Sequence, residues 1–129
     1  MSLPAVTIEA NAGIVVIRFA GDIDLQTFVA GREALQKEPG WSSRYVHVFD
    51  FSAVTDIDLS KDAIEALATA PPVFDKSAPQ ILVVRDGSFE FAIARAFAAL
   101  ARGRRSVHIV GSLDEARAVV RALRPSSTS

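Results

Sequence analysis

The residues able to do chemistry in this sequence gather in three short stretches. Asp50, Asp56, Asp58 and Asp62 make one of them acidic, with Ser60 and Lys61 among the carboxylates; Asp86 and Ser88 flank a glycine; and Ser112 stands just ahead of Asp114 and Glu115. Carboxylates there can line a binding site at the strand ends, or they can serve as the turn formers that strand-to-helix connections use in any case. Ser60, Ser88 and Ser112 each precede a helical pattern, where a hydroxyl either caps the helix or helps its N-terminus hold an anion. The candidate binding residues are therefore Asp58, Ser60, Lys61, Asp86, Ser88 and Ser112, with both readings of each left standing.

Catalysis has no obvious agent. The sequence holds no G-x-S-x-G elbow, no G-x-x-x-x-G-K-[ST] loop, no G-x-G-x-x-G and no H-E-x-x-H. Zero cysteines exclude disulfides, thiolate metal sites and thiol nucleophiles together. His47 and His108 lie inside apolar runs that could be neighbouring strands, the one two-histidine metal option in the chain. Without a third ligand on matched spacing, the competing reading is a strand histidine holding one hydrogen bond. No catalytic residue, metal or cofactor is expected.

These residues need a scaffold, and the 129 residues, 50% hydrophobic and 22% charged, are the composition of one globular domain, placed at residues 1–124 with a frayed tail at 125–129. Val6 to Glu9 alternates as a half-buried strand, Asn11-Ala12-Gly13 tolerates positive φ, and Ile14 to Phe19 follows as the second arm of a hairpin. Asp24 can cap a helix with Leu25, Phe28, Val29 and Leu35 on one face, ending near Pro39-Gly40. Tyr45 to Phe51 is a nearly continuous apolar run, as expected of a central strand covered on both faces.

A strand-and-helix unit then recurs. Ser60 opens a helix carrying Ile64 and Leu67 that Pro71-Pro72 stops, and Gln80 to Val84 is the next strand. An alanine-rich helix follows, with Phe89, Ile93, Phe97 and Leu100 in one stripe and Gly103 at its close; Ser106 to Val110 is the last strand. Ser112 and Glu115 form a capping box for a final helix with Ala116, Val119, Val120 and Leu123 inward, ended by Arg124-Pro125. The order ββαβαβαβα implies an α/β fold: a mostly parallel sheet with an antiparallel first strand and helices packed on it. Internal repeats are not apparent. Ligands of such sheets bind at the carboxyl ends of the strands, so Asp50 to Ser60, Arg85 to Ser88 and Gly111-Ser112 are the loops of interest.

Asp50 follows a third strand, where a response-regulator receiver domain carries its phospho-acceptor. That chemistry also requires an acidic pair after the first strand and a lysine after the fifth. Here the chain opens with a hairpin, and Gly111-Ser112 follows the last strand.

Charge bears on partners. Fourteen basic against fifteen acidic side chains give a formal net charge of −1, which supplies no field toward a nucleic acid or an anionic membrane. Locally the balance is uneven: five acids and one lysine in residues 50–65, seven arginines and two acids in residues 95–124. A solvated helix face around Arg117 and Arg121 and a partner-docking face are the two readings. Met1-Ser2-Leu3-Pro4 has neither a basic nor an apolar leader region, so a cytoplasmic protein without a membrane span is expected. The opening strand, with Val6 and Ile8 and only Glu9 charged, lies at a sheet edge and suggests a homodimer.

Asp50-Phe51-Ser52-Ala53-Val54-Thr55-Asp56-Ile57-Asp58-Leu59-Ser60 resembles the segment D-[LF]-S-x-V-x-x-[IM]-D-S-[ST]-G of STAS domains, the sulfate transporter and anti-sigma factor antagonist family. The element order and Leu113-Asp114-Glu115-Ala116 are similar to the SpoIIAA-like (STAS/SEC14) branch. The resemblance implies a non-catalytic regulatory module that binds a protein partner or, alternatively, a small nucleotide, anion or lipid at the carboxyl ends of the strands. In the family's switch members the serine directly after the motif aspartate is phosphorylated; the matching residue here is Leu59, and Lys61 replaces the glycine that follows. The resemblance thus implies a module without the usual phosphorylation switch, whose partner the sequence does not name.

Overall fold

The hairpin forms where the alternation places it. In the computed structural model, which describes residues 4–69, 79–85, 88–102 and 106–123, β1 (Ala5–Glu9) runs antiparallel to β2 (Ile14–Asp24). A 3₁₀ turn at Ala10–Ala12 and Gly13 join them. The remaining elements are α1 (Leu25–Lys37), β3 (Val46–Asp58), α2 (Lys61–Thr69), β4 (Gln80–Val83), α3 (Phe89–Leu100), β5 (Val107–Val110) and α4 (Leu113–Leu123). The order ββαβαβαβα is the expected one. Strands lie in the sheet as β1-β2-β3-β4-β5, with every pair after the first parallel and β3 central. Pro71-Pro72, Gly103, Arg124-Pro125 and the tail lie outside the described residues.

Each parallel step moves one strand in the same direction, and right-handed crossovers then put the intervening helices on one face. On that face Phe28 and Leu35 of α1 and Phe91, Ile93, Ala94 and Phe97 of α3 meet Val15, Ile17, Phe19, Phe51 and Leu82. Helix α2 packs against α3. The stack of Phe19 on Phe51, with ring centres 5.1 Å apart and planes 6° from parallel, is closed by Phe28 at 5.1 and 6.0 Å. Such ring pairs contribute about 0.5–1.5 kcal/mol each beyond area burial. The opposite face is covered by α4, whose Ala116 and Val120 are buried against Ile14, Val16, Val48, Ile81 and Val83. Arg117 holds α4 to the sheet's first edge by donating both guanidinium nitrogens to the Glu9 carboxylate, one of them at 2.8 Å. That contact lowers the Glu9 pKa and raises that of Arg117, to which Asp114 of the same helix adds, so Arg117 ties α4 to β1.

Three helix faces differ from expectation. Leu25 and Val29 of α1, Leu100 of α3 and Leu123 of α4 are exposed. In α1 the buried positions are Thr27, Gly31 and Leu35; of the expected stripe Phe28 and Leu35 pack against the core and Leu25 and Val29 do not. In α3 and α4 the exposed leucine is the last helical residue, although Ala101, the residue after Leu100, is buried.

The largest difference is β3. The apolar run predicts a strand ending at Phe51 with the loop Asp50 to Ser60 after it; the strand instead continues to Asp58, and the thirteen residues of β3 pair with the eleven of β2. The register moves from Arg18↔Asp50 to Ala20↔Ala53 and from Gly21↔Val54 to Asp22↔Asp56, so β3 takes up one extra residue in each interval. Two bulges in β3 change its inward spacing from two to three: Phe51, Val54 and Ile57 all point into the same core. Beyond β4, which stops at Val83, β2 and β3 continue as a two-stranded parallel ribbon. Gly21 sits at the second shift with φ +72° and open space where a Cβ would stand. Gly21→Ala therefore adds no clash and isolates the backbone term. It is expected to lower stability by about 1–2 kcal/mol in urea denaturation, with Gly21→Asn costing less.

Candidate functional site

The carboxyl edge of the sheet is where the chain places most of its candidate residues, and the ribbon dominates that edge. Arg18, Asp50 and Ser52 stand at its base. Asp50, 1% exposed, accepts at one oxygen from the Ser52 backbone N–H (2.9 Å) and hydroxyl (2.7 Å) and at the other from Arg18 Nε (3.3 Å). These bonds fully occupy a buried carboxylate, which suits a structural anchor at the first bulge.

Above it the strands carry the same four residues, Asp-Ile-Asp-Leu, at 22–25 and 56–59, and the register sets them side by side: Asp22↔Asp56, Ile23↔Ile57, Asp24↔Asp58. Ile23 and Ile57 turn into the core, so the four aspartates share the opposite, outward face. Two are committed locally. Asp24 caps α1, accepting from Thr27 N and Thr27 Oγ1 at 3.1 Å each, and Asp22 accepts from Thr55 Oγ1 at 3.0 Å. Asp56 and Asp58 are exposed and make no side-chain hydrogen bond among the described residues. The repeated tetrapeptide was the signal that could have found this pairing; nothing in the sequence pointed to Arg18 or Ser52.

The three serines are caps. Ser60 Oγ accepts from Ala63 N at 3.1 Å, and Ser88 Oγ accepts from Phe91 N at 3.1 Å while donating to Arg85 O at 2.6 Å. Ser112 Oγ accepts from Glu115 N at 3.1 Å, and the Glu115 carboxylate reaches Gly111 N at 2.8 Å, one residue earlier than the capping-box pattern. Each hydroxyl thus already occupies one of the helix N–H groups that an anion could use. Lys61 opens α2 and is exposed. Asp86 lies outside the described residues. Leu59 is half-buried against the main core.

The two histidines are not brought together: β4 separates β3 from β5, and the residue paired with His47 is Gln80. No group of three metal-ligating side chains occurs among the described residues. His47 is fully buried at the other end of the sheet. Its Nδ1–H donates to Tyr45 O at 2.8 Å and its Nε2 accepts from Trp41 Nε1 at 3.0 Å, which fixes the tautomer. Burial lowers its pKa to about 4, against a smaller opposing effect of the Tyr45 bond. Gln80 beside it is buried, and its Oε1 has no partner among the described residues. Among the described residues no helix is long and apolar enough to cross a membrane.

With this geometry in hand, comparison with known proteins adds nothing: no family model, no curated protein and no solved structure matches the chain.

Two outcomes follow from these contacts. His47 binds its proton near pH 4 in the folded chain and near 6.5 in the unfolded one, so its contribution is complete above about 6.5 and is lost as pH falls toward 4. Denaturation across that window should show wild type losing up to about 3 kcal/mol more than His47→Gln. Ser60→Ala should cost roughly 0.5–2 kcal/mol, and Ser60→Asp, which can cap as well, should retain most of it.

Proposed function

We propose that this chain is a non-catalytic regulatory or protein-interaction domain of the STAS kind, lacking the usual phosphorylatable serine, and that it docks a positively charged protein segment on the outward face of the β2–β3 ribbon. One observation carries this reading: two pairs of aspartates lie directly opposite each other on adjacent strands. Strands are about 4.8 Å apart, and like charges facing across them destabilise the sheet. A cationic partner would relieve that repulsion, and Asp56 and Asp58 keep their carboxylates available for it. The caps at Ser60, Ser88 and Ser112 rank the small-ligand reading lower, since an anion at those helix ends would have to displace a hydroxyl from its bond.

The paired variant Asp56→Asn/Asp58→Asn separates the cases. As bait in a native extract, wild type should retain proteins that elute with added salt, and the variant should lose them while gaining up to about 1 kcal/mol in stability. Retention of the same proteins by both baits would sink the proposal. A thermal shift with a nucleotide or lipid, abolished by Ser88→Glu, would restore the small-ligand reading.

A further inference from the structure

Both edges of the sheet are formed by short strands, and they are defended differently. β1 begins just after Pro4, which has no N–H, and ends at Glu9, whose carboxylate is tied to Arg117. Proline and charge are what natural edge strands use to prevent pairing with another chain. β5 has neither: Val107, His108, Ile109 and Val110 are all half-buried, whereas the four residues of the adjacent β4 are all buried. No strand of the described residues pairs with its outer side.

The hydrogen-bond pattern fixes which groups are open. Gln80 N donates to Ser106 O at 2.8 Å and Val84 N to Val110 O at 2.9 Å. Residues 106, 108 and 110 therefore face β4, and by strand alternation the N–H and C=O of Val107 and Ile109 face outward. We propose that a second copy of this chain pairs antiparallel on this edge, about a two-fold axis through His108. In that register Val107 of each copy exchanges two hydrogen bonds with Ile109 of the other, four bonds in all, and each His108 faces its counterpart in a non-hydrogen-bonded pair.

Charge complementarity favours a second copy over another chain. Antiparallel order brings the end ahead of β5, where Arg102 is exposed at the close of α3, to the same end of the joined sheet as the start of α4, where Asp114 is exposed on the other face. Like-charged side chains are absent from the strand itself. Leu100 and Leu123, two of the large apolar side chains left exposed, end the two helices that contact β5. A four-residue edge falls below the roughly 1,200–2,000 Å² of a tight interface, so the dimer should be concentration-dependent. This inference is independent of the ribbon's role.

The absence of cysteine makes the test clean. Residues opposed in a non-hydrogen-bonded pair have Cα atoms about 4.5 Å apart, within disulfide reach. His108→Cys should form a covalent dimer on mild oxidation, and Thr7→Cys, at the middle of β1, should not. In wild type, raising the concentration from low micromolar to near millimolar should bring the average mass toward twice the monomer's. It should also slow amide exchange at Val107 and Ile109 and leave His108 and Val110 unchanged. The wild-type measurement decides the matter if a variant misfolds. A mass and an exchange pattern independent of concentration, or cross-linking through position 7 as efficient as through 108, would overturn the proposal.

Discussion

The pairing of β2 with β3 along their full length is the constraint on which the rest of the molecule depends. Thirteen residues hydrogen-bonded to eleven cannot keep one register, so β3 absorbs the difference as two bulges. Those bulges keep Phe51, Val54 and Ile57 pointing into one core, where Phe51 stacks on Phe19 and both meet Phe28 of α1. They also carry the two strands past the end of β4 and turn four aspartates outward. Core packing, the seat of α1 and the charge of the carboxyl edge are three results of one mismatch in length.

The opposite end of the sheet is held by polar groups. His47 lies fully buried between Trp41 and the Tyr45 carbonyl, and its neutrality is what makes that burial tolerable. Beside it Gln80 occupies a strand position that an apolar side chain would fill at less cost, which makes this end less uniform than the phenylalanine stack. The two ends of one strand thus use different physics: directional bonds to a single imidazole at one, stacked rings and an exposed carboxylate face at the other.

Much of the fold could be read from the residues. The hairpin, the Asp24 cap, β4, β5 and the capping serines were legible because each rests on local chemistry: alternation, a turn glycine, a hydroxyl before an apolar run. β3 was legible only to Phe51, since its apolar residues then recur every third position, which is neither the alternation nor the continuous run that marks a strand. Leu100 and Leu123 continue their helices' apolar stripes and yet are exposed, because a stripe does not say which of its residues the packing covers. The contacts of Arg18 with Asp50 and of Arg117 with Glu9 span 32 and 108 residues, and no local pattern encodes them. The repeat of Asp-Ile-Asp-Leu was visible all along; what it lacked was the register that gives it meaning.

The sequential order of the sheet bears on how the chain reaches this state. Each strand after the first lies beside the one made just before it, so the first step closes a hairpin and each later one closes a loop that carries one of the helices α1, α2 and α3. A nascent chain emerging from the ribosome can add these units one by one, with no strand waiting for a distant partner. Only α4 returns across the far face to reach β1. Its docking, through Arg117 and Glu9, joins elements more than a hundred residues apart, a tie that the local winding of the sheet does not supply.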